Sequence, residues 1–144
     1  MRVVMTLAVS SAIGLAGCSS PPPVPSQQPG ALVNGTALVT VNDAAPMKTT
    51  AVTCSAAGPL TTITTGDDRS GVTAVLSSQN ELAAQSVSIV NLGGFTGSYH
   101  AGLGGETTVS MTGRTYAISG TADGFAVDNP SFRTSGTFTV KVAC

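Results

Sequence analysis

Three cysteines carry the most definite chemistry in this chain of 144 residues. Cys18 closes the run Leu15-Ala16-Gly17-Cys18, a lipobox pattern. Ahead of it lie Arg2 and an apolar stretch from Val3 to Leu15. A thiol in that position takes a diacylglyceryl group as a thioether. The small residues Ala16 and Gly17 admit a signal peptidase to the bond before Cys18, and the new terminal amine is then open to acylation. The apolar stretch is shorter than the ~20 residues needed to span a bilayer core and has the layout of an export signal. Residues 1–17 therefore read as a lipoprotein signal peptide, and Cys18 as the site of lipidation by chains such as palmitate. Each buried methylene contributes about 0.8 kcal/mol, so two or more chains hold a protein stably at a membrane.

The other two cysteines, Cys54 and Cys144, follow an export signal and so meet an oxidising compartment. Both fall on the apolar parity of predicted strands and are expected to face the core. A bridge between them encloses about 90 residues and contributes up to about 4.5 kcal/mol in the chain-entropy model. Two free buried thiols are the alternative.

Elsewhere the signals for chemistry are sparse. His100, the one histidine, needs a nucleophile and an orienting acid to act as a catalytic base, and spacing alone names neither. It also excludes sites built on several histidines. Asp67-Asp68-Arg69 reads as a solvated turn, because calcium asks for more oxygen ligands at regular spacing. Gly102-Leu103-Gly104-Gly105 lacks the lysine and helix of a phosphate loop. Lys48 and Lys141 sit in no motif that would activate a serine. No catalytic residue, metal ligand or cofactor is expected, and the chain does not read as an enzyme. The six aromatics all lie between Phe95 and Phe138. They read mainly as core. Phe125 and Phe132, in a segment that reads as loop, are the candidate contacts for an apolar or lipid ligand.

The elements that must position these residues fall into two parts. Pro21-Pro22-Pro23-Val24-Pro25 and Pro29-Gly30 favour extended polyproline and make residues 18–32 an acylated tether. From residue 33 the period is two. Ala37, Val39 and Val41 alternate with Thr36, Thr40 and Asn42; Phe138, Val140, Val142 and Cys144 alternate with Thr137, Thr139 and Lys141. Further strands are predicted over 60–64, 72–77, 86–92, 95–100, 107–111 and 114–121. Turns are expected at Gly58-Pro59, Gly66-Asp67, Gly93-Gly94, Gly104-Gly105, Thr112-Gly113, Asp123-Gly124 and Asp128-Asn129-Pro130. Glu81 to Gln85 offers one short helical stretch. The fold expected for residues 33–144 is all-β and mainly antiparallel: a small sandwich or barrel-like domain with at most one short helix, closed by one disulfide.

Composition agrees. Thr and Ser number 20 and 16, while charged residues are 9% and the net charge is −1. Threonine suits a pleated surface and turns its hydroxyl to water. With so little charge there is no footprint for nucleic acid, and long-range steering of a partner is weak.

These residues resemble the mycobacterial lipoprotein antigen family typified by LpqH. The likeness runs from Leu15-Ala16-Gly17-Cys18 through Val52-Thr53-Cys54-Ser55-Ala56-Ala57-Gly58, Gly71-Val72-Thr73-Ala74-Val75-Leu76 and Val90-Asn91-Leu92-Gly93-Gly94. It continues in Tyr116-Ala117-Ile118-Ser119-Gly120-Thr121-Ala122-Asp123-Gly124, Asn129-Pro130 and Phe138-Thr139-Val140-Lys141-Val142-Ala143-Cys144. The resemblance implies a non-enzymatic, triacylated antigen of the cell envelope, held at the extracytoplasmic face of the cell membrane through Cys18. It also implies a Cys54–Cys144 disulfide and recognition of the acylated N-terminus by host innate receptors of the Toll-like type. The alternative reading is an envelope binding module that carries an apolar ligand. One departure from the family is the tether: it is proline-rich, with Ser19, Ser20 and Ser26 as its hydroxyl acceptors before Gly30, where relatives have a threonine-rich, O-glycosylated segment.

Overall fold

The computed structural model describes residue 17, residues 20–22 and residues 28–144. The signal peptide, Cys18 and most of the tether lie outside the described residues. The described chain is all-β, with ten antiparallel strands: β1 (Ala37–Val41), β2 (Met47–Thr49), β3 (Val52–Ala57), β4 (Leu60–Gly66), β5 (Gly71–Ser77), β6 (Ala83–Leu92), β7 (Phe95–His100), β8 (Thr107–Thr112), β9 (Thr115–Ala126) and β10 (Asn129–Ala143). They form one sheet in the order β2-β1-β10-β9-β7-β6-β5-β4-β3, with β8 pairing β9 beside it.

The sheet rolls until its ends meet. Val39, Met47 and Thr49 of β1 and β2 line one small cavity together with Thr65 and Gly66 of β4 and Gly71 of β5. A disulfide joins Cys54 on β3 to Cys144 just past β10, with 6.0 Å between the Cα atoms. The result is a nearly closed, barrel-like wall around one core.

The period-two reading fixes that core. Ala37, Val39 and Val41 are buried, and so are their register partners Val142, Val140 and Phe138. Val72, Ala74, Leu76, Val87 and Ile89 supply the opposite wall. Phe95 is the largest fully buried side chain. Tyr99 and Tyr116 pack against this cluster from the side.

Short hairpins set the register. The pair Gly93-Gly94 joins β6 to β7 with φ of 56° and 72°, the left-handed pair that a two-residue turn between twisted strands requires. Gly58-Pro59 makes the β3–β4 turn as expected. The β8–β9 turn falls one residue later than expected, on Gly113-Arg114, because Thr112 pairs Thr115.

Four other expectations need correction. Glu81 to Gln85 is not helical; residues 78–82 are irregular, and Ala83 and Ala84 open β6 by pairing with Ser77 and Leu76. Asp123-Gly124 is not a turn, since β9 runs through it to Ala126. The reversal comes after it, at Val127-Asp128, ahead of Asn129. Phe125 and Phe132 consequently lie in strands β9 and β10 rather than in a loop. Finally, Cys54 is exposed. It shares the core-facing side with its partner Ile63, but β3 is an edge strand that overhangs the core, so the bridge sits at the rim of the wall. Cys144, half-buried, packs against the core from the other side.

Candidate functional site

The outward parity of the sheet carries a row of polar side chains, one per strand. Register pairs Thr53 with Thr64, Thr64 with Thr73, Thr73 with Ser88 and Ser88 with Ser98. Ser98 in turn faces Asp123, and Asp123 faces Ser135. All but the half-buried Ser98 are exposed. The strands alternate because each inward neighbour, such as Ile63, Ala74, Val87 or Ala122, belongs to the core.

This face is hollowed by three depressions that share residues. The first, about 270 Å³, lies over Thr64, Thr73 and Ser88 and reaches Asp67 and Asp68. The second, about 320 Å³, shares Ser88 and Val90 with the first and adds Ser98, Asp123, Phe125 and Arg133. The third, about 260 Å³, shares Ser98, Asp123 and Arg133 with the second and adds His100 and Leu103. Together they form one open trough that crosses the strands from β4 to β10.

Each wall of the trough has a local cause. Asp67 stabilises the β4–β5 loop through Oδ1, which accepts from Arg69 N–H at 2.8 Å and Ser70 N–H at 3.0 Å, the self-capping turn typical of Asp. At the other end, Arg133 on β10 stands beside its register partner Phe125 on β9. Asp123 Oδ1 accepts from Ser135 Oγ at 2.7 Å, which holds the carboxylate toward β10.

His100 therefore shares a depression with Ser98 and Asp123. These are the residue types of a hydrolytic triad, yet the relay between them is not made. The carboxylate is engaged by Ser135, and His100 stands across from Ser86 on β6. Among the described residues, His100 makes no side-chain hydrogen bond, and no three His, Cys, Asp or Glu side chains gather to hold a metal ion.

The two phenylalanines expected to line an apolar site are separated. Phe125 is half-buried and lines the trough. Phe132 is 69% exposed on β10, in the stretch between Asn129 and Arg133 where the register shifts. It contributes nothing to the core. Phe132→Ser should leave the melting temperature within about 2 °C of the parent by thermal unfolding, as expected for an exposed position.

Sequence reasoning missed Ser88, Ser98, Asp123 and Arg133 as a group. The alternation of hydroxyls in Thr62/Thr64, Ser86/Ser88 and Thr96/Ser98 was visible, but only the pairing register lines them up.

Comparison with known proteins places the chain. The family model described as the Mycobacterium 19 kDa lipoprotein antigen matches residues 30–144. A protein of Mycobacterium indicus pranii, named only as a lipoprotein, is 36% identical over 144 residues, covering 99% of this chain and 98% of its own. Lipoprotein LpqH of Mycobacterium avium is 35% identical over 94 residues, 65% of this chain and 58% of its own. Lipoprotein LpqH of Mycobacterium bovis (strain BCG / Pasteur 1173P2) is 33% identical over 97 residues, 67% of this chain and 61% of its own. The match runs the length of the β domain and takes in both bridged cysteines, and the chain belongs to the Mycobacterium 19 kDa lipoprotein antigen family.

Proposed function

We propose that this protein is a non-enzymatic antigen of the cell envelope. It is anchored by lipid on Cys18 at the extracytoplasmic face of the cell membrane and displays its β domain on a proline-rich tether. The observation that carries this reading is Leu15-Ala16-Gly17-Cys18 at the end of an apolar run, in a chain of a lipoprotein antigen family. The partners we infer are the membrane itself and host innate receptors of the Toll-like type, which would read the acylated N-terminus. A core filled by Phe95, Phe138 and the aliphatic strands, and an Asp123 held by Ser135 rather than by His100, support a role without catalysis.

Carriage of an apolar ligand has less support. The cleft at Phe125 is open and shared with Ser98, Asp123 and Arg133, and Phe132 stands outside it.

The test is Cys18→Ser in the native host. The parent should partition into detergent and show the mass of a diacylglyceryl thioether on Cys18, with residues 1–17 removed. The variant should partition into the aqueous phase and lose at least about tenfold in stimulation of receptor-reporter cells, since acyl chains supply the membrane affinity. A parent whose Cys18 sulfur carries no lipid would refute the reading.

A further inference from the structure

We propose that the trough on the outer face is a binding site for a neutral, linear glycan lying across the strands. Its floor is the polar row from Thr64 to Asp123, with Phe125 as the apolar platform. The inference goes beyond the lipid anchor and does not rest on it.

Four observations carry it. First, the row is periodic. Adjacent strands lie about 4.8 Å apart, so the row offers a hydroxyl or carboxylate at each of four steps, over roughly 19 Å. A linear glycan presents its own hydroxyls at a comparable interval. Each Ser or Thr hydroxyl donates one hydrogen bond and accepts others, which matches the donor–acceptor character of a sugar hydroxyl.

Second, the charges disfavour a polyanion. Asp67 and Asp68 stand at one end of the trough, and Asp123 and Arg133 line both of its other depressions, with His100 in the last. A polyanion meets repulsion from three carboxylates against one guanidinium. A chain without charge accepts hydrogen bonds from the guanidinium and donates them to the carboxylates.

Third, Phe125 lies half-buried among these polar groups, its ring available for the C–H face of a sugar. Fourth, the floor is the middle of a sheet. The strands beneath it are paired on both sides, so an extended peptide cannot add to it by backbone hydrogen bonds. A glycan fits this face better than a peptide.

The experiment uses the full acylated chain, nitrogen-15 labelled, in detergent micelles. The probes are linear neutral hexasaccharides of glucose, mannose, galactose and arabinose, their disaccharides, and a soluble unstructured peptide of similar length. At least one hexasaccharide should shift the amide signals of Ser88, Ser98 and Asp123 at millimolar concentration, with its disaccharide binding more weakly. Ser88→Val with Ser98→Val should weaken the hit by about tenfold, from two lost hydrogen bonds. Phe125→Ala should weaken it by a similar factor of about ten. Thr108→Val, on β8 away from the trough, should leave binding unchanged, and so should Cys18→Ser. A preserved Cys54–Cys144 bridge and melting temperature certify the fold of each variant. The proposal is overturned if no glycan shifts these signals, if the peptide binds this face and the glycans do not, or if the folded trough variants bind as the parent does.

Discussion

Removing the disulfide should cost this domain a large part of its stability. Cys54→Ala with Cys144→Ala is expected to lower the free energy of unfolding by about 4 kcal/mol, in the range for a bridge that closes a long loop. For a domain of this size that is roughly 15 °C in melting temperature. The bridge spans 90 residues of sequence, but its place in the sheet order matters as much. β3 is the last strand at one end and pairs with β4 alone, while Cys144 follows a strand held between β1 and β9. The bond thus ties the outermost hairpin to the best-held strand of the molecule. Without it, that hairpin is tied to the rest of the sheet by the β4–β5 ladder and by Val52, packed against the core. Because Cys54 is exposed, a small thiol reductant should act on the folded protein and give the same loss as the double substitution. Thermal unfolding of oxidised, reduced and doubly substituted protein checks this. A change under about 4 °C would mean that the seam closes without the bond.

The same bond shows where a linear sequence informs and where it stops. Alternation located the core because burial on one face forces period two: Ala37, Val39 and Val41 meet Val142, Val140 and Phe138 as the pattern requires. It placed Cys54 on the correct side of β3 as well. Parity cannot tell a central strand from an edge strand, so the exposure of Cys54 was hidden until strand order was known. The trough was hidden for a related reason. Thr73, Ser88 and Ser98 are unremarkable surface residues one by one. Their alignment follows from the β5–β6 register and from the irregularity between Ile89 and Leu92 that offsets β6 against β7, facts of pairing that no single strand carries. The segment Glu81 to Gln85 misled because its alanines suit a helix in isolation, whereas pairing to Leu76 and Ser77 decides their state. Asp123-Gly124 misled because a glycine common in turns also serves a strand whose neighbour presses close, and Gly124 is where β7 crowds β9.

That crowding makes Gly124→Ala the second large effect. β9 changes neighbours along its length: its first half pairs β8 as far as Gly120, and its second half pairs β7 from Asp123 onward. Around that change of neighbours the flanking strands press in at the two glycines. A Cβ on Gly120 would stand 2.3 Å from Glu106 O, and one on Gly124 would stand 2.0 Å from Thr96 O and 2.4 Å from Gly97 Cα. Those atoms are backbone and cannot swing aside as a side chain would. Relief requires β7 to draw back from β9, breaking ladder hydrogen bonds worth about 1 kcal/mol each on top of the overpacking cost. Gly124→Ala should therefore destabilise by about 4 kcal/mol. Gly136→Ala should cost less, because its Cβ meets the Phe95 ring at 3.0 Å and a ring has some room to shift. Asp123→Ala, one residue away, should cost only about 1 kcal/mol, the hydrogen bond from Ser135. Denaturant unfolding of the three variants gives the ranking directly. If Gly124→Ala proved no worse than Asp123→Ala, β7 and β9 could not be as close as they stand here, and the floor of the trough, which those strands form, would have to be redrawn.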